Sequence, residues 1–204
     1  MDLFAYRIVP VVSLDDARDA EPLAQALMQG GLPIAEVTFR TTAAAESIAV
    51  MSRLRGFTVG AGTVVEQAQL DAALTAGARF VVSPGLRAHL VRAAQAAGVP
   101  VLPGAVTPSE LMAAQDLGLD TVKFFPAAIY GGPAGIRALA GPFPTLRFVP
   151  TGGVEPGNLT DYLRLSCVPA VGGSWVAPKA IIAAKRYARI TELAAEAVAL
   201  ASQV

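Results

Sequence analysis

One lysine of this chain lies in a segment that is otherwise largely apolar. Lys123 stands within residues 121–126, Thr-Val-Lys-Phe-Phe-Pro, whereas the other two lysines lie in a predicted helical tail in which polar residues recur. In an extended strand, alternation places Lys123 on the face opposite Val122 and Phe124, which pack against helices, so Lys123 points inward. Burial disfavours an ammonium ion, and a neutral amine can attack a ketone to form a Schiff base. Lys123 is therefore a candidate nucleophile; the alternative is that it pairs with a carboxylate or extends to the rim.

A carboxylate and a guanidinium share one face of another predicted strand end. In residues 34–40, Glu36, Thr38 and Arg40 alternate at a spacing of two residues. Schiff-base formation and carbon–carbon cleavage both need proton transfers, so Glu36 suits a general acid or base near the amine. Arg40 can hold a substrate carboxylate through two parallel hydrogen bonds. Alternatively, Glu36 and Arg40 pair with each other, or Glu36 only balances the charge of Lys123.

Two glycine pairs follow the last two predicted strands. Gly152-Gly153 comes after one strand, and Gly172-Gly173 is followed by Ser174 after the other. Glycine lets backbone N–H groups approach an anion closely, and the loops after strands seven and eight of a barrel commonly bind phosphate. A single glycine pair is ordinary in turns, but two at neighbouring strand ends predict a phosphate site.

Thr63 and Pro84 end two further predicted strands. Thr63 follows Gly60-Ala61-Gly62, and Pro84 follows Ser83. Thr63 can hydrogen-bond a carboxylate or a bridging water, and Pro84 can form a rigid wall of a pocket. Both residue types are common in turns, so their significance depends on the other segments.

The elements that must position these residues repeat along the chain. Short β-branched or aromatic segments alternate with Ala- and Leu-rich segments of helical spacing. The eight predicted strands are Arg7–Ser13, Ile34–Thr38, Phe57–Gly62, Phe80–Ser83, Val101–Pro103, Thr121–Phe124, Arg147–Thr151 and Ala170–Gly172. Helix signals are Ser13 as a candidate cap, Pro108 at a first helical position, and glycines at 30, 77, 98 and 118 at helix ends. Eight alternations without a GxGxxG loop favour an α/β fold of the (β/α)8 TIM-barrel type over an open sheet, with its site at the carboxyl ends of the strands.

Composition excludes several other classes of protein. The 204 residues suffice for one sizeable domain, predicted over residues 1–204, and sixteen basic residues balance sixteen acidic ones, which argues against a nucleic-acid partner. Although 53% of residues are hydrophobic, no apolar run is long enough to span a membrane. Met1–Ser13 lacks the features of a signal peptide, which favours a cytoplasmic protein. Cys167 is the only cysteine and is interpreted as a packing residue. His89 is the only histidine and is interpreted as a solvated residue of a helix. With one residue of each type, a metal site is not expected.

In chain order, these segments closely resemble the signature of the 2-keto-3-deoxy-6-phosphogluconate aldolases, which also cleave 4-hydroxy-2-oxoglutarate. The resemblance extends from about Arg7 to Pro178 and combines six segments that are weak signals singly and specific as a set. They are residues 36–41 (Glu-Val-Thr-Phe-Arg-Thr), 60–64 (Gly-Ala-Gly-Thr-Val), 83–85 (Ser-Pro-Gly), 123–127 (Lys-Phe-Phe-Pro-Ala), 150–154 (Pro-Thr-Gly-Gly-Val) and 172–175 (Gly-Gly-Ser-Trp).

The resemblance implies a (β/α)8 barrel, usually a homotrimer, with neither a metal nor an organic cofactor. It implies that Lys123 forms the Schiff base, that Glu36 is the general acid/base, and that Arg40 and Thr63 bind the pyruvyl carboxylate. The remaining implied site residues are Pro84 and Phe125 as pocket walls, and Gly152, Gly153, Gly173 and Ser174 as the phosphate site. The implied reaction is reversible cleavage of the sugar-acid phosphate to pyruvate and glyceraldehyde 3-phosphate.

Two other functions remain open from the residues alone. One is a phosphate-binding barrel isomerase or synthase in which Lys123 neutralises an anion without covalent catalysis. The other is a non-catalytic sugar-phosphate binding protein, which has no need of both Glu36 and an interior Lys123. The first predicts no covalent adduct with pyruvate, and the second predicts binding without turnover.

Overall fold

Parallel strands and helices alternate along the chain in the computed structural model, which describes residues 3–204. Met1 and Asp2 of the predicted mature N-terminus lie outside the described residues. The strands are β1 (Ile8–Val12), β2 (Ile34–Thr38), β3 (Thr58–Gly62), β4 (Val81–Val82), β5 (Val101–Leu102), β6 (Thr121–Phe124), β7 (Arg147–Pro150) and β8 (Val171–Gly173). The helices are α1 (Ala20–Gln29), α2 (Ala44–Ser52), α3 (Gln67–Thr75), α4 (Ala88–Ala96), α5 (Pro108–Asp116), α6 (Gly132–Ala140), α7 (Leu159–Leu163), α8 (Lys179–Ala183) and α9 (Tyr187–Ala201).

The strands close into a barrel. Six of them form a continuous parallel sheet in the order β5-β4-β3-β2-β1-β8, and β6 pairs with β7. Single parallel bridges join the two groups, from Gly104 to Lys123 on one side and from Thr151 to Gly172 on the other. All strands therefore point the same way around one ring, which confirms the predicted (β/α)8 architecture and brings their carboxyl ends to one face.

Local sequence signals predicted most element boundaries correctly. All eight predicted strands are present, with ends that differ by no more than two residues. Pro108 occupies the first position of α5 as predicted, and Thr107 caps the helix: the Thr107 hydroxyl accepts from the N–H of Glu110, and the Glu110 carboxylate accepts from the N–H of Thr107. Partial burial opposes ionisation of Glu110, but hydrogen bonds from Val106 and Thr107 outweigh it and lower the pKa of this carboxyl.

The predicted cap at Ser13 is wrong. The first helical turn is a short 3-10 helix, Ala17–Asp19, and its cap is Asp16, whose carboxylate accepts from the backbone N–H of Arg18 at 2.9 Å. The Ser13 hydroxyl instead lies 2.6 Å from the hydroxyl of Thr38. Ser13 therefore hydrogen-bonds to Thr38 of β2, whereas the sequence pattern had predicted that Ser13 would cap the helix.

Two apolar layers hold the barrel together. The outer layer lies between strands and helices and includes Val122 and Phe124, which are fully buried there as alternation predicted. The inner layer fills the amino-terminal end of the barrel with Leu3, Val9, Ile34, Phe80, Val82, Leu102 and Val149, against which Phe4 packs. Apolar packing thus closes one end of the barrel and leaves the opposite end for polar side chains.

The C-terminal helix α9 packs on α1. Gly30, the residue that ends α1, sits so close to α9 that an added Cβ would lie 2.4 Å from the Cβ of Ala194. Arg7, before β1, donates to the carbonyl of Leu163 at 2.8 Å and to that of Val204. The tail is therefore part of the packed barrel. No helix in residues 3–204 has the length and apolar character needed to cross a membrane.

Candidate active site

Lys123 and Glu36 form a buried ion pair inside the barrel. The Lys123 Nζ lies 3.1 Å from Oε1 of Glu36, and the two residues are only 6% and 3% exposed. They lie on β6 and β2, which are not neighbours in the sheet, so their side chains meet across the barrel interior. A buried charge pair is costly to desolvate and is poor evidence of stability, and such pairs cluster at functional sites, so Lys123 and Glu36 are the first candidates for chemistry. Within the pair, a proton passed from the amine to the carboxylate gives a neutral nucleophile.

Gly62 on β3 makes room for the carboxylate. A Cβ added at Gly62 would lie 2.2 Å from Oε1 of Glu36, closer than any real contact, and β3 pairs directly with β2. In the sequence, Gly62 was named only as the residue before Thr63 in the segment 60–64. Gly62 makes room for a side chain of the neighbouring strand, so its role cannot be predicted without the strand pairing. The sequence offered one local signal, a glycine within a predicted strand, which often marks a close approach of other atoms.

A small cavity lies beside the ion pair. Its volume of about 20 Å³ is enough for one water molecule. Lys123, Glu36 and Thr151 provide its polar wall, and the rest of the lining is mainly the apolar inner layer. Thr151 is 6% exposed and was not predicted as a site residue. The polar side chains of this cavity are therefore those of the ion pair and its neighbour Thr151.

The two glycine pairs come together at the mouth. Gly152, Gly153, Gly173 and Ser174 line a shared cavity of about 180 Å³ together with Arg40, Phe125 and Thr151. The Lys123 Nζ lies 5.2 Å from the centre of the Phe125 ring, so this cavity adjoins the amine. The predicted phosphate residues and the predicted nucleophile are thus neighbours.

Close packing explains why glycine stands at these positions. Gly152 and Gly153 have backbone φ angles of 88° and 79°, which residues other than glycine rarely adopt. A Cβ on Gly173 would lie 1.5 Å from the ring of Trp175, whose indole N–H is buried without a hydrogen-bond partner among residues 3–204. Gly152 is half-buried and Gly153 is exposed, so these two bring accessible backbone into the cavity wall, as an anion site requires, whereas Gly173 is buried.

Arg40 is exposed and makes no ion pair or hydrogen bond within the described chain. It lines the mouth cavity with the glycine loops, and Glu36 pairs with Lys123 instead. The alternative of a Glu36–Arg40 pair is therefore wrong. The guanidinium is left available for an anionic ligand.

Thr63 and Pro84 lie apart from this cavity. Thr63 is half-buried with a φ of 57°, and Pro84 lines a separate hollow with Ser83 and Gly85. Their strands, β3 and β4, end on the same face of the barrel as β6. The structure thus brings Thr63 and Pro84 to the correct end of the barrel but not into the wall formed by the glycine pairs.

The remaining residues singled out in the sequence lie elsewhere. His89 is exposed on α4, as predicted, and Cys167 is half-buried against the outer layer, where burial raises the pKa of its thiol. Across residues 3–204, no group of three His, Cys, Asp or Glu side chains could hold a metal ion.

A barrel with a buried lysine–carboxylate pair beside a glycine-lined cavity can form a Schiff base with a substrate ketone, and comparisons with known proteins agree with an aldolase. The family model "KDPG and KHG aldolase" matches residues 2–193. The chain is 46% identical to the KHG/KDPG aldolase of Escherichia coli K12 over 192 residues, which cover 94% of this chain and 90% of the relative. The chain belongs to the family of KDPG and KHG aldolases.

Two solved structures show how closely the fold agrees. The KDPG aldolase of Legionella pneumophila, captured with pyruvate as a covalent carbinolamine, has a TM-score of 0.91 and 40% identity, with 94% of each chain covered. The aldolase of Zymomonas mobilis with 3-phosphoglycerate has a TM-score of 0.89 and 43% identity, with 95% of this chain and 91% of that chain covered. The whole barrel therefore corresponds to that of these enzymes.

Proposed function

We propose that the chain is a class I aldolase, a lyase of carbohydrate metabolism that acts through a Schiff base on Lys123. Its substrate is 2-keto-3-deoxy-6-phosphogluconate, cleaved reversibly to pyruvate and glyceraldehyde 3-phosphate, and it also cleaves 4-hydroxy-2-oxoglutarate to pyruvate and glyoxylate. The observation that carries the proposal is the buried 3.1 Å pair of Lys123 and Glu36 beside the glycine-lined cavity. The covalent pyruvate adduct of the Legionella relative supports it.

The mechanism follows from the pair and its surroundings. Lys123 passes its proton to Glu36 and attacks the C2 ketone, and Glu36, through a water held beside it, assists loss of the C2 hydroxyl to give a protonated imine. The imine accepts the electrons of the C3–C4 bond as Glu36 takes the C4 hydroxyl proton. Glyceraldehyde 3-phosphate leaves, the enamine is protonated, and hydrolysis releases pyruvate and the free amine.

The other site residues orient the substrate. Arg40 and Thr63 hold the carboxylate, and Pro84 and Phe125 form walls of the pocket. The phosphate lies on the backbone N–H groups of Gly152, Gly153 and Gly173 and on the hydroxyl of Ser174. Fixing both anionic ends places C2 at the amine, which is the kind of positioning that enzymes use to lower reaction barriers.

Reductive trapping tests the proposal. The protein is incubated with pyruvate and borohydride, digested, and mapped by mass spectrometry. We expect one reduced pyruvate on Lys123 and none on Lys179 or Lys185, which serve as internal controls. Lys123→Met should keep the fold and lose turnover. An unmodified Lys123, or aldolase activity in the Met variant, would reject the mechanism and leave a non-covalent phosphate-binding enzyme or a binding protein.

The assembly and location are also proposed. The chain forms one domain over residues 1–204, three copies form a homotrimer, and the enzyme acts in the cytoplasm without a metal or organic cofactor. Cys167 is the only cysteine, so the fold uses no internal disulfide, which suits a reducing compartment. Because EDTA removes metal ions, an enzyme that needs no metal should cleave its substrate at the same rate with and without EDTA.

A further inference from the structure

A second lysine lies at the mouth of the barrel. Lys179 begins α8, just beyond β8, and its Nζ lies 2.8 Å from both carboxylate oxygens of Asp15, which follows β1. The side chains are 59% and 63% exposed. The pair therefore links two loops on the same face of the barrel as the candidate active site.

Lys179 shares a cavity with the proposed phosphate site. A hollow of about 520 Å³ at the mouth is lined by Lys179, Arg40, Gly153 and Ser174. Glu155 lines it as well, so two cationic side chains and one carboxylate face the hollow. Lys179 is therefore a second cation of this wall beside Arg40, and its flexible side chain can reach inward from the rim.

The partner of Lys179 is easily exchanged. An exposed ion pair contributes little to stability, because water screens both charges. A substrate phosphate carries about −1.5 to −2 charges at neutral pH and offers three acceptor oxygens, so it competes well against one exposed carboxylate. Asp15 holds the lysine at the edge of the cavity until such a group arrives.

We propose that Lys179 determines the preference for phosphorylated substrates. Its ammonium leaves Asp15 and binds the phosphate held on the glycine loops, and Asp15 lowers that preference by competing for the same ammonium. The inference rests on the proposed aldolase function for its reaction, but the anion site can be measured without turnover. 4-Hydroxy-2-oxoglutarate has no phosphate to make this contact.

Steady-state kinetics with two substrates tests the role. Lys179→Met should raise KM for 2-keto-3-deoxy-6-phosphogluconate about threefold to tenfold and leave kcat unchanged. It should not alter KM for 4-hydroxy-2-oxoglutarate. Asp15→Asn should lower KM for the phosphorylated substrate alone. The matched control is Lys185→Met, which removes the lysine paired with Asp19, outside the hollow that Lys179 lines, and should change neither KM.

The outcomes separate the two proposals. Equal KM changes for both substrates in Lys179→Met, or no change, would overturn the role of Lys179 while the aldolase stands. If the unaltered protein cleaves neither substrate, the aldolase proposal fails, and calorimetric titration with inorganic phosphate decides the role of Lys179. Weaker phosphate binding by Lys179→Met than by Lys185→Met supports it, and equal binding overturns it.

Discussion

At the scale of single residues, the carboxylate of Glu36 depends on a glycine of the neighbouring strand. Replacing Gly62 by Ala would place a methyl group within 2.2 Å of Oε1, so Glu36 must turn away from Lys123. Because general acid–base catalysis contributes at least about a hundredfold, we expect kcat to fall about a hundredfold. Aldolase kinetics and the melting temperature Tm of the variant measure the effect.

Gly60→Ala is the control for this prediction. It adds the same methyl group two residues earlier on the same strand, where the nearest atoms belong to the Phe80 ring and not to Glu36. Both variants should lower Tm, but only Gly62→Ala should remove most of the activity. Equal kcat values in the two variants would mean that overpacking alone explains the loss.

The sequence predicted the inward position of Lys123 and offered Glu36 as its partner for physical reasons that act within single strands. Alternation placed Lys123 inward, and burial of a charge required a partner such as Glu36. The space made by Gly62 and the position of Thr151 beside the ion pair depend on which strands become neighbours and at what register, so residue spacing could not predict them.

At the scale of elements, Gly30 controls how closely α1 and α9 pack. Gly30→Val would place atoms against Ala194 and the carbonyl of Thr191, the latter 2.7 Å from the added Cβ. Overpacking of this kind costs about 1–3 kcal/mol of unfolding free energy. Urea denaturation should show a lower midpoint, and α9 should exchange amide hydrogens faster.

Gly157→Val is the comparison for the helix contact. Gly157 has no heavy atom within 4 Å of an added Cβ, and its backbone does not need a left-handed conformation. This variant should keep the parent midpoint. If the urea midpoint of Gly30→Val equals that of the parent protein, α9 can shift to accommodate the valine without loss of unfolding free energy.

Helix signals succeeded where the partners are local. The Thr107–Glu110 cap lies within one turn, so its pattern is readable from the sequence alone. Ser13 failed as a cap because its partner, Thr38, lies 25 residues away on another strand. A sequence pattern therefore predicts a hydrogen bond well when both partners are close in the chain, and poorly when a distant residue can be the partner instead.

At the scale of the whole molecule, eight βα repeats predicted the barrel, but its closure rests on contacts that no repeat reveals. Two seams close through single bridges at Lys123 and Thr151, both of which border the active site. Leu3 and Phe4 pack across the opposite end of the barrel. Residue patterns could not predict this packing, because it exists only once all eight strands have closed into a ring.

The proposed homotrimer has a direct test. Sedimentation equilibrium should give three times the chain mass of 20.9 kDa. Ile129 and Met112 are 80% and 59% exposed in the single chain, so a contact between copies that covers them would remove apolar surface from water. A mass of one chain at all concentrations would contradict the trimer and leave the site chemistry untouched.

Trp175 gives the protein an optical property that follows from its packing. It is the only tryptophan in the chain, and its ring lies over Gly173 in the wall of the hollow that contains Ser174 and Lys179. Indole fluorescence from the whole molecule therefore arises at one place, the mouth of the barrel. The chain carries its own spectroscopic probe at the site where substrate phosphate is proposed to bind.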